Sequence, residues 1–564
     1  MNPTTPAIAT QAAVRRLPRA ALWLLCLAYL LPGALGRDPW RTADITAFGF
    51  MSELADGRAP WLAPTLLGRA PEVDGLLPYW MGAWAIQAGT PWLPPDLAVR
   101  FPFLLMLLVA FAATWYASYY LARDDRAQPV AFAFGGEASR TDYARALADG
   151  ALLALLANLG LAQLSHETTP AVVQLACTAL CFAGFAVLPT LQWQGITGVA
   201  LGLAGLTLSG APTLALLLGG GGTLAMVATP READEATDNR VRPWLGPLLV
   251  TAFVAAWASG LALWRWRIDL PHLDAARWSG LIRMLAWFTW PCWPLVLWTL
   301  WRWRQQWLRL RSPSRHLILP LWFSASAIGT SIATGSDDRA LLLALPALAT
   351  LAAQALPTLR RSVSALIDWF TLLFFSGCAL VIWVVWIAMQ SGVPPQPAAN
   401  VERLAPGFIH SFAWLPFLFA LIATGAWGWL VRWRAGRHRA ALWKSLVLPA
   451  SGATLCWLLL MTLWLPLLDY ARSYRPLTQQ LAQALSFDGC VESRNLSDGE
   501  VSALRLYLGM DLRPTHPSVG CNWLIARPGP DPSSVPAREI WHEQVRVHHP
   551  VDRHEEWVVY HRLR

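Results

Sequence analysis

Apolar runs long enough to approach the width of a lipid bilayer recur along most of this chain, near 20–36, 101–122, 149–165, 170–188, 193–209, 212–229, 243–264, 282–300, 317–334, 339–357, 364–390, 411–431 and 444–468. Roughly 20 apolar residues in a helix cross about 30 Å of hydrocarbon, and a helix satisfies its own backbone N–H and C=O groups where no water is present. The runs therefore predict an all-α polytopic membrane protein with about 13 transmembrane helices. A composition that is 55% hydrophobic and 14% charged, with 34 Trp, excludes an ordinary soluble enzyme. The net charge of +9 does not point to nucleic acid either, because the arginines gather in short loops between apolar runs and form no single basic face.

Those arginines set an expected orientation, since Lys and Arg collect on the cytoplasmic side. An inside N-terminus places Arg15, Arg16 and Arg19, then Arg123 and Arg126, Arg302 and Arg304, Arg360 and Arg361, and Arg432 and Arg434 all inside. An odd number of spans then carries the C-terminus outside. The first run follows three arginines, as a cleavable signal peptide would, but the spans behind it favour an uncleaved signal-anchor. Six cysteines fall in apolar runs, where they act as small hydrophobes. Cys490 and Cys521 fall in polar sequence and could pair as a disulfide outside the cytoplasm.

Two expected outer loops exceed simple turns, one over 37–100 and one around Arg265 to Arg283. In the first, Ile45, Phe48, Met51 and Leu54 recur at helical spacing, which predicts an amphipathic helix lying in the membrane interface. After Leu468 the chain turns polar. A transmembrane domain over 1–470 and a small α/β soluble domain over 471–564 are expected, the latter with helices at 478–485 and 498–510 and strands at 521–526 and 556–560. The histidines His542, His548, His549, His554 and His561 match no zinc-ligand spacing and are expected on a solvated surface, so no metal site is expected.

Charged side chains at the bilayer centre cost about 2.5–3.5 kcal/mol on insertion scales, so the few ionisable groups among the spans are informative. Arg37, Asp38, Arg41 and Asp44 follow the first span, His166-Glu167 separates the third and fourth, and Asp337-Asp338-Arg339 precedes the tenth. All thread to the same outer face. Carboxylates can serve as general bases and arginines can grip a phosphate bidentately, a set that suits transfer from a phosphorylated donor. Singly, each has a plainer reading. Asp44 can favour a helix N-terminus, Arg37 and Arg339 can snorkel, and His166-Glu167 can be a polar turn before Pro170. Their convergence on one face favours function.

The stretches Arg37-Asp38-Pro39-Trp40-Arg41-Thr42-Ala43-Asp44, Trp61-Leu62-Ala63-Pro64 with Leu67-Gly68, and Pro78-Tyr79-Trp80 resemble the first outer loop of the protein mannosyltransferase and lipid A aminoarabinose transferase families. Arg339-Ala340-Leu341-Leu342 with Leu345-Pro346 is similar to a stretch of the aminoarabinose branch. The motifs are short and are spread over most of the membrane part. The resemblance implies the glycosyltransferase-C fold, with an active site opening outward and a donor sugar carried on polyprenyl phosphate. It places Asp44 where the family's first-loop acid positions or deprotonates the acceptor hydroxyl, with Asp38 as the rival alignment. Glu167, preceded by His166, stands where Asp is common. Arg339 would lie near the donor phosphate, with Arg37 and Arg41 as further candidates and Tyr79 and Asp338 as secondary ones. A basic residue common before the Tyr-Trp pair is missing, and Asp74-Gly75 stands there.

The implied reaction is a direct displacement at the anomeric carbon with inversion, periplasmic to a bacterial inner membrane. The donor is a polyprenyl-phosphate sugar, the acceptor a lipid, glycan or protein, and no metal or other cofactor is required. Two other classes compete. A transporter or flippase would use interrupted helices, for which Gly219-Gly220-Gly221-Gly222 is a possible break without a counterpart elsewhere. A non-catalytic transferase-like subunit would leave Asp44 and Glu167 dispensable. Neither sugar nor acceptor is legible, because fold analogy does not supply substrate.

Overall fold

In the computed structural model, which describes residues 5–229, 243–264, 275–308, 314–335, 338–435, 441–515, 520–528, 536–537, 539–552 and 554–563, each apolar run contributes helix. Among the described residues seven helical segments are long and apolar enough to cross a membrane: Pro95–Ala122, Pro170–Val187, Arg315–Ala333, Asp338–Thr358, Arg361–Ser391, Trp414–Arg434 and Lys444–Leu463. The helices formed by the other apolar runs are shorter or less apolar. Arg19–Leu30 has 12 residues, Gln192–Leu208 and Pro212–Ala228 have 17 each, and Leu245–Gly260 has 16. The run expected at 149–165 starts at Arg140 and stops at Ala157, so its helix carries Arg140, Asp142, Arg145 and Asp149. The run at 282–300 is divided into Ala275–Phe288 and Cys292–Arg302, where Pro291 has no N–H to continue the ladder. Residues 265–274 of the second long loop lie outside the described residues.

Pro170–Val187 and Asp338–Thr358 form the centre of the bundle, whereas Arg361–Ser391 and Trp414–Arg434 lie at its edge and expose Leu366, Trp369, Leu373 and Trp414. Such faces meet acyl chains in a bilayer. The Gly219–Gly222 run does not break its helix, which continues from Pro212 to Ala228. Gly219 lies against Thr251, Gly221 against the Trp322 indole and Gly222 against the Phe185 ring, each nearer than a Cβ would permit. The glycines serve close helix packing, as small residues do in membranes.

Beyond Leu463 two short helices, Leu465–Arg472 and Arg475–Ala484, lead into a five-stranded sheet. Its strands are β1 (Val491–Arg494), β2 (Leu512–Pro514), β3 (Trp523–Ala526), β4 (Trp541–His548) and β5 (Glu556–Arg562), in the order β2-β1-β3-β5-β4. β1 runs parallel to β2 and β3, and β5 runs antiparallel to β3 and β4. The crossover between β1 and β2 is the helix Asp498–Leu508, started by a Ser497/Glu500 capping box and ended at left-handed Gly509. Cys490 and Cys521 are joined as a disulfide.

The first-loop helix, Ala43–Ala55, is enclosed by protein on more than its apolar face. It buries Ile45, Phe48, Met51 and Leu54, but also Ala47, Gly49, Phe50 and Glu53, because it is wedged between Leu77–Gly89 and the crossover helix Asp498–Leu508. Glu53 is paired with Arg58 (2.9 Å) and with Arg505, and Arg69 with Asp498 (3.0 Å). At Gly49 an added Cβ would lie 2.7 Å from Ser502 Cβ. Gly49→Ala should therefore cost about 1–3 kcal/mol through overpacking, read as a lower melting temperature of the full chain in detergent. Adding Ser502→Gly should restore most of the loss, and no recovery would dissociate the effect from this contact.

Candidate active site

The chain leaves Arg19–Leu30 through Gly33, whose φ of +83° only glycine adopts freely and where a Cβ would lie 2.6 Å from the Trp457 ring. Thr42 is also left-handed, at φ +72°, a conformation costing a β-branched residue about 1–3 kcal/mol. Hydrogen bonds on both sides hold it: Arg41 N–H donates to the Arg472 carbonyl (2.7 Å), and Thr46 N–H to the Thr42 carbonyl (3.1 Å). The turn directs Asp44, in the first turn of Ala43–Ala55, into the protein.

Asp44 is 2% exposed, and four donors converge on it. Its Oδ2 accepts from Arg37 Nη2 (2.8 Å) and the Trp40 N–H (3.3 Å), while Oδ1 accepts from the N–H (2.8 Å) and hydroxyl (2.7 Å) of Thr168. Burial pushes its pKa up, but the Arg37 and Arg100 guanidinium groups and the Thr168 bonds outweigh it and hold the carboxyl below the usual carboxylate value. Arg100 in turn donates to the carbonyls of Gly33 (3.1 Å) and Arg37 (2.6 Å).

The segment His166-Glu167-Thr168 precedes Pro170–Val187. While Thr168 grips Asp44, the His166 carbonyl accepts from Arg37 Nη2 (2.8 Å). Glu167 reaches elsewhere, with Oε2 2.9 Å from Arg339 Nη2 and Oε1 3.4 Å from Gln163 Nε2. Gln163 Oε1 accepts from Arg472 Nη1 (2.8 Å), so Arg339 and Arg472 are linked through Glu167 and Gln163. Burial pushes Glu167 above the usual carboxylate value despite Arg339, and the nearby Asp44 charge adds to the rise. The His166 ring packs 4.7 Å from Trp457, and burial pulls it down to about 4, which keeps it neutral at physiological pH.

Trp40 joins the two sides. The guanidinium groups of Arg37 (4.6 Å) and Arg472 (4.9 Å) both lie over its ring, and its indole N–H donates to Asp469 Oδ1 (2.8 Å). Asp38 N–H donates to the same oxygen (3.3 Å). Burial and the Asp38 charge raise Asp469 to about 7. Thr168, Gln163, Asp469 and Arg472 were not singled out from sequence. A charged pair directly after the last apolar run was the available signal for the latter two, and a Thr or Gln beside a motif offers none.

Asp38 and Arg41 face the C-terminal unit. Asp38 is held bidentately by Arg475 (2.7 and 2.5 Å), and Arg41 donates to Glu555 (2.5 Å) and the Ala471 carbonyl (2.9 Å) and lies 3.4 Å from Asp552. The Tyr79 hydroxyl donates to the Val73 carbonyl (3.2 Å), and its ring packs on Phe50. Asp338 lies 3.7 Å from Arg339 Nη1, and Asp337 falls outside the described residues. His542, His548 and His554 are exposed and His561 is half-buried, but His549 is buried, contrary to the expected solvated surface. Its Nδ1 accepts from the N–H groups of Val551 (3.2 Å) and Asp552 (3.3 Å), which puts the proton on Nε2, facing the Ser473 carbonyl (3.1 Å). That bond is available because the turn presenting Asp552 and Glu555 to Arg41 folds over the ring.

Burial, with Arg41 nearby, lowers the His549 pKa from 6.5 to about 4. The stabilisation from a depressed histidine is present above the unfolded value and is lost as pH falls through the folded one. Melting temperatures of the full chain should therefore decline between about pH 6.5 and 4, and His549→Gln should flatten that decline. An unchanged pH dependence in the variant would sink the assignment.

No protein-family model and no curated protein matches the chain. Two solved structures share its architecture. ArnT from Cupriavidus metallidurans bound to undecaprenyl phosphate is similar with a TM-score of 0.58 and 13% identity over 96% of each chain. The same protein in the apo state gives 0.59 and 14% over 96% of this chain and 98% of that one. Likeness at this identity speaks to fold: this chain has the glycosyltransferase-C fold, a multi-pass helical membrane bundle followed by a small α/β unit.

Proposed function

We propose that this protein is an integral membrane glycosyltransferase that moves a sugar from a polyprenyl-phosphate donor to a lipid, glycan or protein acceptor. The reading places the carboxylate end of the bundle and the C-terminal unit, about 471–564, in the periplasm of a bacterial inner membrane, with the N-terminus cytoplasmic. The observation that carries it is the run Arg339–Glu167–Gln163–Arg472 beside the paired Asp44, in a fold one of whose members is seen with undecaprenyl phosphate.

The two carboxylates divide the work. Asp44 already accepts four hydrogen bonds and is held below the usual carboxylate value, so it positions Arg37 and Thr168. Glu167, with a raised pKa, is the better base. It takes the proton of the acceptor hydroxyl as that oxygen bonds to the anomeric carbon from the face opposite the phosphate. The bond between that carbon and the phosphate oxygen breaks, and polyprenyl phosphate leaves with the electron pair, inverting the centre. Arg339, 30% exposed, and Arg472 are the cations for the charge that grows on the phosphate. Donor arrival draws Arg339 from Glu167 to the phosphate, which makes Glu167 more basic when the acceptor must be deprotonated. Polyprenyl phosphate is a good leaving group, and the scheme uses no further cofactor.

The test is transfer of labelled sugar from polyprenyl-phosphate donors in membranes with matched expression of wild type, Glu167→Gln and Asp44→Asn. Glu167→Gln should lower kcat on the order of 10²–10⁴-fold with little change in KM for the donor. The wild-type acid limb should lie above the ordinary glutamate value, because burial raises Glu167, and it should be missing from the residual activity of Glu167→Gln. Equal transfer in all three removes both residues from the mechanism. No transfer from any donor favours a transporter or an accessory subunit.

A further inference from the structure

At the end of the bundle remote from Asp44, basic side chains outnumber acidic ones among the described residues. The helix Arg100–Ala122 has Arg100 beside Arg37 at one end and Arg123 just past the other, and its 23 residues separate the two regions by about 34 Å. Arg123 belongs to a group with Arg126, Arg302, Arg304, Arg315 and His316. Of the nearby acids, Asp125 is paired with Arg140 (2.5 Å) and Asp124 lies 3.7 Å from Arg315. His316 is fully buried, and neither of its ring nitrogens has a hydrogen-bond partner among the described residues. The same holds for Arg315 Nη1 and Arg123 Nε. Buried polar groups are usually paired, and His316 and Arg315 are neighbours in sequence and in charge.

A cavity of about 200 Å³ opens beside these groups, lined by Thr5, Arg302, Trp303, Arg304 and Gln306 among others, with no carboxylate among the described lining residues. Two contacts connect it to the orphaned groups. The Trp303 ring meets His316 edge-on at 5.1 Å. Gln306 accepts from the Ser314 hydroxyl (3.1 Å), next to Arg315, and donates to the Arg126 carbonyl (3.2 Å). At the rim Arg304 lies over the ring of exposed Trp301 (4.5 Å), a tryptophan suited to the headgroup level of a bilayer.

We infer that this cavity binds a phosphate-bearing anion between Arg302 and Arg304, supplied by the headgroup of an anionic phospholipid. Basic pockets between helices at the membrane edge recognise such headgroups, and the position beside Trp301 puts the cavity at that level. Arginines that merely set topology would be interchangeable. Arg360 and Arg361 therefore serve as the comparison, since both are exposed and precede or begin a membrane-length helix at the same end.

The experiment uses the full-length protein in nanodiscs of phosphatidylcholine with or without phosphatidylglycerol, with retained lipid counted by native mass spectrometry. A second arm follows melting in detergent with inorganic phosphate. Wild type and the Arg360→Gln/Arg361→Gln variant should retain phosphatidylglycerol, and Arg302→Gln/Arg304→Gln should lose at least tenfold in apparent affinity. All four arginines are exposed, so neither double variant threatens folding. Binding of inorganic phosphate alone, lost in Arg302→Gln/Arg304→Gln, would overturn the lipid source. Equal loss in both double variants, or no loss in either, would overturn the site.

Discussion

A buried ion pair between Arg37 and Asp44 governs the arrangement of the carboxylate end of this molecule. The two side chains are 0% and 2% exposed, and a charge left alone in such surroundings costs several kcal/mol. The surrounding structure supplies part of the compensation, with Arg37 Nε and Nη1 left without a hydrogen-bond partner among the described residues. Thr168, 124 residues along the chain from Asp44, gives it two donors, the His166 carbonyl takes the other contact of Arg37 Nη2, and Arg100 ties down the Arg37 carbonyl. Satisfying the pair thus fixes the backbone on both sides of Glu167. With His166 and Thr168 both committed to the first loop, the Glu167 side chain is left to meet Arg339.

The C-terminal unit is bound into the same arrangement. Asp38 with Arg475, Arg41 with Glu555 and Glu53 with Arg505 are three charge pairs between the first loop and residues after the last membrane-length helix. Trp40 adds the link that matters most, because the Arg472 guanidinium stacked on it comes from that distant segment and reaches Gln163 on the other side. The unit therefore contributes to the site's electrostatics through Arg472 and holds the strained turn at Thr42 in place through Arg41.

The spans were legible because apolar length is a physical requirement of the bilayer, and the first-loop helix because Ile45, Phe48, Met51 and Leu54 repeat at helical spacing. What that helix packs on was not legible. Gly49 reads as an ordinary helix residue until Ser502, far along the chain, lies against it. Charge pairing failed to show for a similar reason. Arg37, Asp38, Arg41 and Asp44 are two bases and two acids within eight residues, and nothing local says that Arg37 takes Asp44 while Asp38 and Arg41 turn to Arg475 and Glu555. His549 looked like one of several surface histidines, and only the Val551 and Asp552 N–H groups folding back on it distinguish it.

The two places where the sequence departs from the resemblance become coherent in three dimensions. Asp74-Gly75 stands where a basic residue is common, but this stretch is held against the end of Gln192–Leu208: Leu76 N–H donates to the Leu208 carbonyl (2.6 Å), and a Cβ on Gly75 would lie 3.1 Å from the Ser209 backbone. A side chain at residue 75 would start in tight contact with that backbone. Arg472 supplies a positive charge from the opposite end of the chain. The Glu for Asp difference at 167 follows the same logic, because neighbours that are both pinned to the first loop fix the backbone, and the added methylene extends the reach of its carboxylate toward Arg339. A loop without its usual cation and a longer acid are thus complementary: the cations nearest the Glu167–Gln163 run are Arg339 and Arg472, supplied by two distant parts of the chain.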